Sequence, residues 1–228
     1  MAIGRIITRA PDNDEPQRSR RRPRRLKWLE RILFVVGLIC LGYFAYVSVE
    51  ARLYQAIENR ELDLILASVP PAAIPPAATT AAIKPARPSP GSALGRIEIP
   101  RLGVSAIIRA GSDARTLRLA VGHIPGTALP GEIGNIGLAG HRDTFFRRLR
   151  DIRAADDIRV VTTAGTFVFK VDTTSVVSPK DTWVLKPTRK STLTLVTCYP
   201  FTYIGSAPKR FIVHAVAQPR RPAAAKSG

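Results

Sequence analysis

An uncharged, strongly apolar run near the N-terminus limits what this chain can fold into more than any other feature. From Ile32 to Val49 the sequence ILFVVGLICLGYFAYVSV contains no charged residue. At about 1.5 Å per helical residue the run spans roughly 27 Å, close to the hydrocarbon thickness of a bilayer. It exceeds the usual core of a cleaved secretory signal, and no clear small-residue cleavage site follows it. An uncleaved transmembrane anchor is therefore favoured over a cleaved signal.

Basic residues cluster on the N-terminal side of this run. Residues 1–31 contain ten Arg or Lys against four acidic residues. By the positive-inside rule, the sequence predicts a basic cytoplasmic tail over 1–31, a single-pass anchor over 32–49 in the cell (inner) membrane, and an extracytoplasmic remainder. A basic run beside a membrane helix is more typical of contact with anionic lipid headgroups than with nucleic acid, so no nucleic-acid partner is expected. The exported part keeps a net charge of +12, which favours an anionic envelope surface.

Two segments of different composition follow the anchor. Residues 49–69 have helix-forming composition, with Leu53, Ile57 and Leu64 near helical spacing, and predict a short helical stalk. Residues 70–94 contain seven of the nineteen prolines and eight alanines, which is typical of an extended spacer. We therefore expect residues 50–94 to form a stalk and linker that hold the next domain away from the membrane. The last ten residues, 219–228, are expected to be a disordered tail.

The region from residue 95 to 218 alternates between β-branched runs and turn residues. Eight runs have strand character: 96–99, 105–110, 135–140, 158–163, 166–171, 174–178, 193–198 and 210–217. Ala164 and Gly165 predict a tight hairpin, and Asp113 and Asp143 each precede a short helical pattern whose free N–H groups they could cap. Many short strands with few helices indicate one mainly β domain, a barrel or a sandwich.

The domain contains a single cysteine. Cys40 lies in the apolar run, which leaves Cys198 as the only exported cysteine and excludes a disulfide within the domain. An unpaired exported cysteine indicates either a reactive thiol or an intermolecular bridge. Strand alternation puts Thr194, Val196 and Cys198 on one face, and Tyr199-Pro200 ends the strand just beyond the thiol. An accessible nucleophile and a buried core cysteine both fit this pattern.

Thiolate chemistry requires a base and a cationic donor nearby. His141 follows a strand and either faces a cleft or bonds to loop backbone; His123, among Gly and Pro, either lines the same cleft or fixes a turn. Arg210 opens the last strand, where a solvated edge charge is the ordinary interpretation. If strands 193–198 and 210–217 pair as antiparallel neighbours, Arg210 lies near Cys198.

Metal and nucleotide sites are not indicated. The chain has no CxxC or HxxxH spacing for zinc, and no cluster of acidic residues typical of calcium stands out. The glycines of GEIGNIG are not followed by GK[ST], so a phosphate loop is not predicted. We expect no metal and no cofactor.

The segment TLTLVTCYPFTYIGSAPKRFIVHA, residues 192–215, resembles the signature of the sortase family, in which a cysteine ends a strand and an arginine opens the next. GNIGLAGHRDTFFRRL, residues 134–149, resembles the family's histidine segment, and GRIEIPRLGVSAIIRAG and GHIPGTALPGEIGN match its opening strands and following turn. The form of the cysteine segment is most similar to class D sortases.

This resemblance implies an eight-stranded sortase-type β-barrel over residues 95–218 and a membrane-anchored cysteine transpeptidase. It implies that Cys198 attacks a Leu-Pro-x-Thr-Gly-like sorting signal of an exported protein, that His141 moves the protons and that Arg210 steadies the oxyanion. An amine of the cell wall or a pilin-type lysine would then resolve the thioester.

Four further residues, His123, Val196, Thr197 and Tyr199, are expected to contact substrate. Two alternatives remain open at this point. One is a cysteine hydrolase or peptidase that uses the same residues, and the other is a non-catalytic barrel that binds envelope proteins.

Overall fold

The computed structural model describes residues 24–68, 87–203 and 205–219. Residues 1–23 of the predicted basic tail, most of the Pro/Ala-rich linker and nearly all of the C-terminal tail lie outside these ranges. The chain divides into two compact units, Met1–Tyr46 and Val47–Gly228.

The described part of the first unit is the beginning of a long helix, α1, which spans Arg24–Ser68. Its apolar side chains lie on the surface: Leu33 is 62% exposed, and Phe34 and Phe44 are each 69% exposed. Within the described residues, this is the one helix long and apolar enough to cross a membrane, with a mean hydropathy of 2.4 in its best window. Exposed apolar residues on all sides are typical of a helix whose surroundings are lipid.

The second unit is a closed β-barrel. Its strands are β1 Ala93–Ile99, β2 Val104–Ala110, β3 Val121–His123, β4 Asn135–Ala139, β5 Asp157–Thr162, β6 Gly165–Val177, β7 Thr192–Tyr199 and β8 Lys209–Ala217. The order around the barrel is β1-β2-β3-β4-β7-β8-β6-β5. The β2/β3 and β4/β7 pairs are parallel, and the other neighbours are antiparallel. The predicted mainly β barrel of eight strands is confirmed.

The strand predictions differ from the structure in two places. The runs 166–171 and 174–178 form one strand, β6, whose pairing with β8 shifts register between Val171 and Thr173. β3 was not predicted, because its three residues are too few to show an alternating pattern. The predicted hairpin is confirmed, since Thr162 pairs with Gly165 at its closing end.

The two aspartates predicted as helix caps behave differently. Asp113 accepts hydrogen bonds from the backbone N–H groups of Arg115 and Thr116 at the start of α2, Ala114–Leu119, as expected. The prediction for Asp143 is wrong: the segment after it is a short 3₁₀ helix, Arg147–Asp151, which follows Phe146 without a side-chain cap.

Aliphatic side chains fill the barrel. Ile97, Ile136, Leu195 and Val213 come from four different strands and are fully buried. Phe146, from the segment between β4 and the 3₁₀ helix, is also fully buried and belongs to the same cluster. Burial of a side chain of this size is worth about 1.5–3 kcal/mol, so Phe146 anchors its segment firmly to the barrel.

The part of α1 from Val47 onward docks on the barrel. The Gln55 side chain donates from Nε2 to Leu119 O at 2.8 Å and accepts at Oε1 from Ile107 N at 2.8 Å. Ile107 and Leu119 are both buried. The Gln55 amide therefore acts like an inserted peptide group between β2 and the chain entering β3, and it satisfies two backbone groups that would otherwise lack partners.

Charged groups extend this docked face of α1. Arg118 pairs with Glu50 at 3.0 Å, and Arg96 pairs with Asp63 at 2.9 Å. The Arg109 guanidinium lies 4.9 Å from the centre of the Tyr54 ring, and Leu62 is buried. The region predicted as a stalk thus contributes contacts to the barrel's own unit.

We expect Gln55→Ala to destabilise the full-length protein in detergent by about 2–4 kcal/mol, because it leaves a buried N–H and a buried C=O unpaired. Thermal unfolding followed by circular dichroism measures the change. Arg60→Ala, at an exposed position of the same helix, is the matched control and should unfold like the wild type. Equal unfolding temperatures for the two variants would show that the Gln55 bridge contributes nothing.

Candidate active site

The pairing of β7 with β8 positions the thiol. The two strands are antiparallel, and Cys198 lies directly opposite Arg210. Directly opposed residues of an antiparallel pair have Cβ atoms about 4.5–5.5 Å apart. The predicted pairing of these strands is confirmed, and it makes Arg210 the cross-strand neighbour of the only cysteine in the second unit.

Alternation along β7 turns the thiol outward. Leu193 and Leu195 are fully buried in the barrel core. Cys198 lies on the opposite, outer face and is partly exposed, one residue before the strand ends at Tyr199. The sulphur is thus accessible and is held by a strand whose inner face is tightly packed.

The backbone before His141 is tied to β7 beside the thiol. Gly140 N donates to Val196 O at 3.1 Å, and the Thr197 hydroxyl donates to Gly140 O at 2.8 Å. Thr197 is only 2% exposed, so this hydroxyl points away from solvent. These bonds extend the parallel β4/β7 pairing to the residue just before His141.

The three predicted catalytic residues line one open cavity of about 290 Å³. Its walls are His141, Arg142, Asp143, Cys198, Gly205, Ser206, Ala207 and Arg210. A larger cavity of about 370 Å³ lies between α1 and β1, but its lining residues include neither a thiol nor an imidazole. The smaller cavity therefore holds all three of the predicted catalytic residues.

The Arg210 guanidinium keeps free donors. Its Nη1 donates to Ala207 O at 3.1 Å and to Lys209 O at 3.0 Å. Among the described residues, its Nε and Nη2 groups have no hydrogen-bond partner. Arg210 can therefore donate to a carbonyl oxygen placed over Cys198, and a charged donor is worth most where negative charge develops during acyl transfer.

Two of the residues expected to contact substrate adjoin the cysteine along β7, but neither of them lines the cavity. Val196 is partly exposed on the same face of β7 as Cys198 and pairs with Ile212. Tyr199 follows the thiol, and its ring stacks on Phe211 with centroids 6.3 Å apart.

The other two, His123 and Thr197, are buried and are also absent from the cavity wall. His123 Nε2 lies 2.9 Å from Ala128 O and 3.1 Å from Thr127 Oγ1, so this histidine fixes the turn after β3. Burial lowers the pKa of His123, which keeps the ring neutral.

Sequence reasoning missed Arg142, which lies in the cavity wall and is only 6% exposed. Its neighbour His141 drew attention to the segment, but an arginine is usually a surface residue. No sequence pattern indicated that its partners would be backbone carbonyls 58 to 63 residues away.

Glycine is required immediately before His141. A Cβ at Gly140 would lie 2.7 Å from Cδ2 of Phe146. Because the Phe146 ring is fully buried, it has no room to move away. The same contact that anchors the segment therefore excludes any larger residue at position 140.

Comparison with known proteins agrees with this geometry. The sequence model of the sortase domain matches residues 97–218. The chain belongs to the sortase family. Sortase D of Bacillus subtilis (strain 168) is 34% identical over 187 residues, which cover 80% of this chain and 94% of the relative. Sortase SrtE1 of Streptomyces coelicolor is 35% identical over 130 residues, 49% of this chain and 37% of the relative.

Solved sortase structures share the barrel. The Clostridium perfringens Sortase D5 transpeptidase superposes with a TM-score of 0.53 at 32% identity, over 57% of this chain and 82% of that one. Clostridium perfringens sortase C with a C-terminal cell wall sorting motif superposes with a TM-score of 0.53 at 26% identity, over 58% and 74% of the two chains. This sortase is accordingly a cysteine transpeptidase of class D character.

We expect Gly140→Ala to lower activity at least tenfold and to destabilise the sortase by about 1–3 kcal/mol, because the added methyl overlaps the Phe146 ring. Peptide cleavage rates and thermal unfolding measure the two effects. The double variant Gly140→Ala/Phe146→Leu should recover part of the activity, since the smaller side chain makes room. A double variant no better than Gly140→Ala alone would contradict this steric explanation.

Acidification should destabilise the sortase through His123. Its folded pKa lies below the ordinary value of about 6.5, so the unfolded chain takes up the proton first and stability falls as the pH drops below about 6.5. One such group contributes at most about 1.4 kcal/mol per pH unit. Urea unfolding at pH 7.5 and 5.5 should show a smaller loss for His123→Gln than for the wild type. An equal loss would exclude His123 as a source of the dependence.

Proposed function

We propose that this sortase cleaves a Leu-Pro-x-Thr-Gly-like sorting signal through a thioester on Cys198 and transfers the released protein to an amine. The observation that carries the proposal is the placement of Cys198, Arg210 and His141 around one cavity, with Arg210 directly opposite the thiol. A nucleophile, a cationic donor with free N–H groups and an imidazole are the parts that acyl transfer from a peptide bond requires.

The first half-reaction forms the acyl-enzyme. The Cys198 thiolate attacks the threonine carbonyl carbon, and Arg210 donates hydrogen bonds to the oxygen as it gains negative charge. The Thr–Gly bond then breaks, and the protonated His141 gives its proton to the departing glycine amine. The product is a thioester on Cys198 and a neutral imidazole.

The second half-reaction resolves the thioester. The neutral His141 removes a proton from an incoming amine, which attacks the thioester carbonyl and releases the Cys198 thiolate. An amide bond replaces the thioester, and the imidazole is again protonated for the next cycle. An amine of a cell-wall precursor or a pilin-type lysine has the chemistry of this acceptor.

The relatives support the substrate class. One superposed structure is a sortase C with a C-terminal cell wall sorting motif, and another is named a transpeptidase. We infer that the sorting signal lies along the outer face of β7, where Val196 precedes the thiol, and that Tyr199 contacts it at the strand end. His123 and Thr197, which are buried, support the turn after β3 and the His141 segment.

The apolar helix supports a membrane location. We propose that residues 32–49 cross the cell membrane once, with the ten basic residues of 1–31 on the cytoplasmic side and the barrel outside. Exported proteins that still carry a C-terminal signal would then meet the enzyme at the outer surface of the membrane.

The test is to incubate the full-length protein in detergent with a library of Leu-Pro-x-Thr-Gly-type peptides, with and without an amine such as triglycine. We expect a covalent adduct of the acyl part on Cys198, found by mass spectrometry, and a transpeptidation product that requires the amine. Cys198→Ala should form no adduct. Arg210→Lys should reduce turnover by about 10²-fold or more, because a single ammonium replaces the planar pair of free donors.

The outcomes separate the proposal from its alternative. Thioester formation with release of free acid, at a rate that amines do not change, would identify a hydrolase instead. Absence of any adduct from a folded wild-type protein would overturn the thioester mechanism for this peptide class.

A further inference from the structure

Arg142 is a cation held inside the protein beside the candidate active site. It is 6% exposed, whereas the carboxylate nearest to it, Asp143, is 73% exposed and lies 3.4 Å from its Nε. A buried guanidinium needs partners that replace its lost hydration, and a largely solvated carboxylate does this only in part.

The partners of Arg142 are carbonyl groups of the loop between β7 and β8. Nη1 donates to Pro200 O at 2.7 Å, and Nη2 donates to Tyr203 O and to Gly205 O, the latter at 3.3 Å. The guanidinium carbon also lies 5.9 Å from the centre of the Tyr203 ring. One side chain thus contacts three residues of the loop, from Pro200, where the loop begins, to Gly205, which lines the cavity.

This loop joins the two catalytic strand ends. It leaves β7 one residue after Cys198 and enters β8 one residue before Arg210. The Arg210 side chain in turn donates to Ala207 O within the same loop. The β7/β8 pairing sets Arg210 opposite Cys198, and the bond to Ala207 O makes the loop one of the contacts that fix where the guanidinium lies.

The two arginines differ in how many of their N–H donors are bonded within the protein. A guanidinium has five N–H donors. Hydrogen bonds to Pro200, Tyr203 and Gly205 use three of those on Arg142, and its Nε lies 3.4 Å from Asp143 Oδ1. Arg210 retains its Nε and Nη2 donors among the described residues. Arg142 has little left to offer a substrate oxygen.

We propose that Arg142 is a positioning residue of the transpeptidation site: it clamps the β7–β8 loop to the His141 segment and thereby steadies the Arg210 guanidinium beside Cys198. It acts through the loop backbone and does not touch the reacting atoms. The inference rests on the proposed function for its effect on catalysis, but the clamp itself is measurable without any substrate.

The variants separate geometry from charge. Arg142→Lys keeps the positive charge, but an ammonium on a single stem cannot reach Pro200 O and Gly205 O together. Arg142→Gln removes the charge as well. Arg147→Lys, at an exposed position of the same segment, is the matched control.

Two measurements on the full-length protein in detergent test the clamp without a peptide. Hydrogen exchange at residues 203 and 205–207 should become at least tenfold faster in Arg142→Lys, and not in Arg147→Lys. The rate at which iodoacetamide alkylates Cys198 should also change in Arg142→Lys. If hydrogen exchange in this loop is as slow in Arg142→Lys as in the wild type, the proposal is overturned.

A third measurement tests the effect on catalysis with a Leu-Pro-x-Thr-Gly-type peptide and triglycine. Arg142→Lys should lower kcat by about 10-fold to 100-fold with less than a threefold change in KM, when rates are normalised to folded protein. If kcat of Arg142→Lys equals that of the wild type, a positive charge at position 142 is sufficient. That result would contradict the positioning role. If the wild type processes no peptide, the proposed function fails, while the exchange and alkylation results still decide whether Arg142 clamps the loop. If Arg142→Gln does not fold, Arg142→Lys carries the test.

Discussion

The antiparallel pairing of β7 with β8 is the constraint on which the rest of the site depends. It sets Cys198 against Arg210 and determines which face of each strand points outward. Because side chains alternate along a strand, a slip of one residue in β7 would carry the thiol to the inner face and bring Leu195 out of the core. The aliphatic packing of the barrel and the exposure of the thiol are therefore specified by the same register.

A separate set of bonds holds His141 in the wall of the cavity that Cys198 also lines. The parallel pairing of β4 with β7 carries the chain to Ala139, and the bonds of Gly140 to Val196 and Thr197 extend it by one residue. Phe146 then fixes the departing chain in the core. Backbone pairing precedes His141 and the buried Phe146 ring follows it. The main chain of His141 is therefore fixed on both sides while its imidazole faces solvent.

Local patterns were sufficient to predict most of the barrel. Alternation located the strands that contain Cys198 and Arg210, and Asp113 marked the start of α2 correctly. Asp143 has the same local signature, but Phe146 dominates there: burial of its ring directs the chain into a 3₁₀ turn that begins later. A capping pattern reports only local hydrogen bonds, and tertiary burial of one large side chain outweighs it.

Long-range polar contacts could not be predicted in this way. Gln55 lies more than fifty residues from Ile107 and sixty-four from Leu119, and Arg142 lies fifty-eight or more from the carbonyls it contacts. Glutamine on a helix and arginine in a loop are ordinary surface residues in sequence. Their backbone partners have no side-chain signature, because every residue has a carbonyl group, so only the closed barrel shows which carbonyl groups need a donor.

The two arginines of this cavity have different roles because their N–H groups have different hydrogen-bond partners. Both guanidiniums give the cavity a positive potential, and both donate to carbonyls of the same loop. A donor already bonded to the protein cannot strengthen its interaction as charge develops on a substrate oxygen, whereas a free donor can. Electrostatic preorganisation therefore needs two kinds of cation here, one whose donors mostly bind loop carbonyls and one that keeps its Nε and Nη2 donors for the reaction.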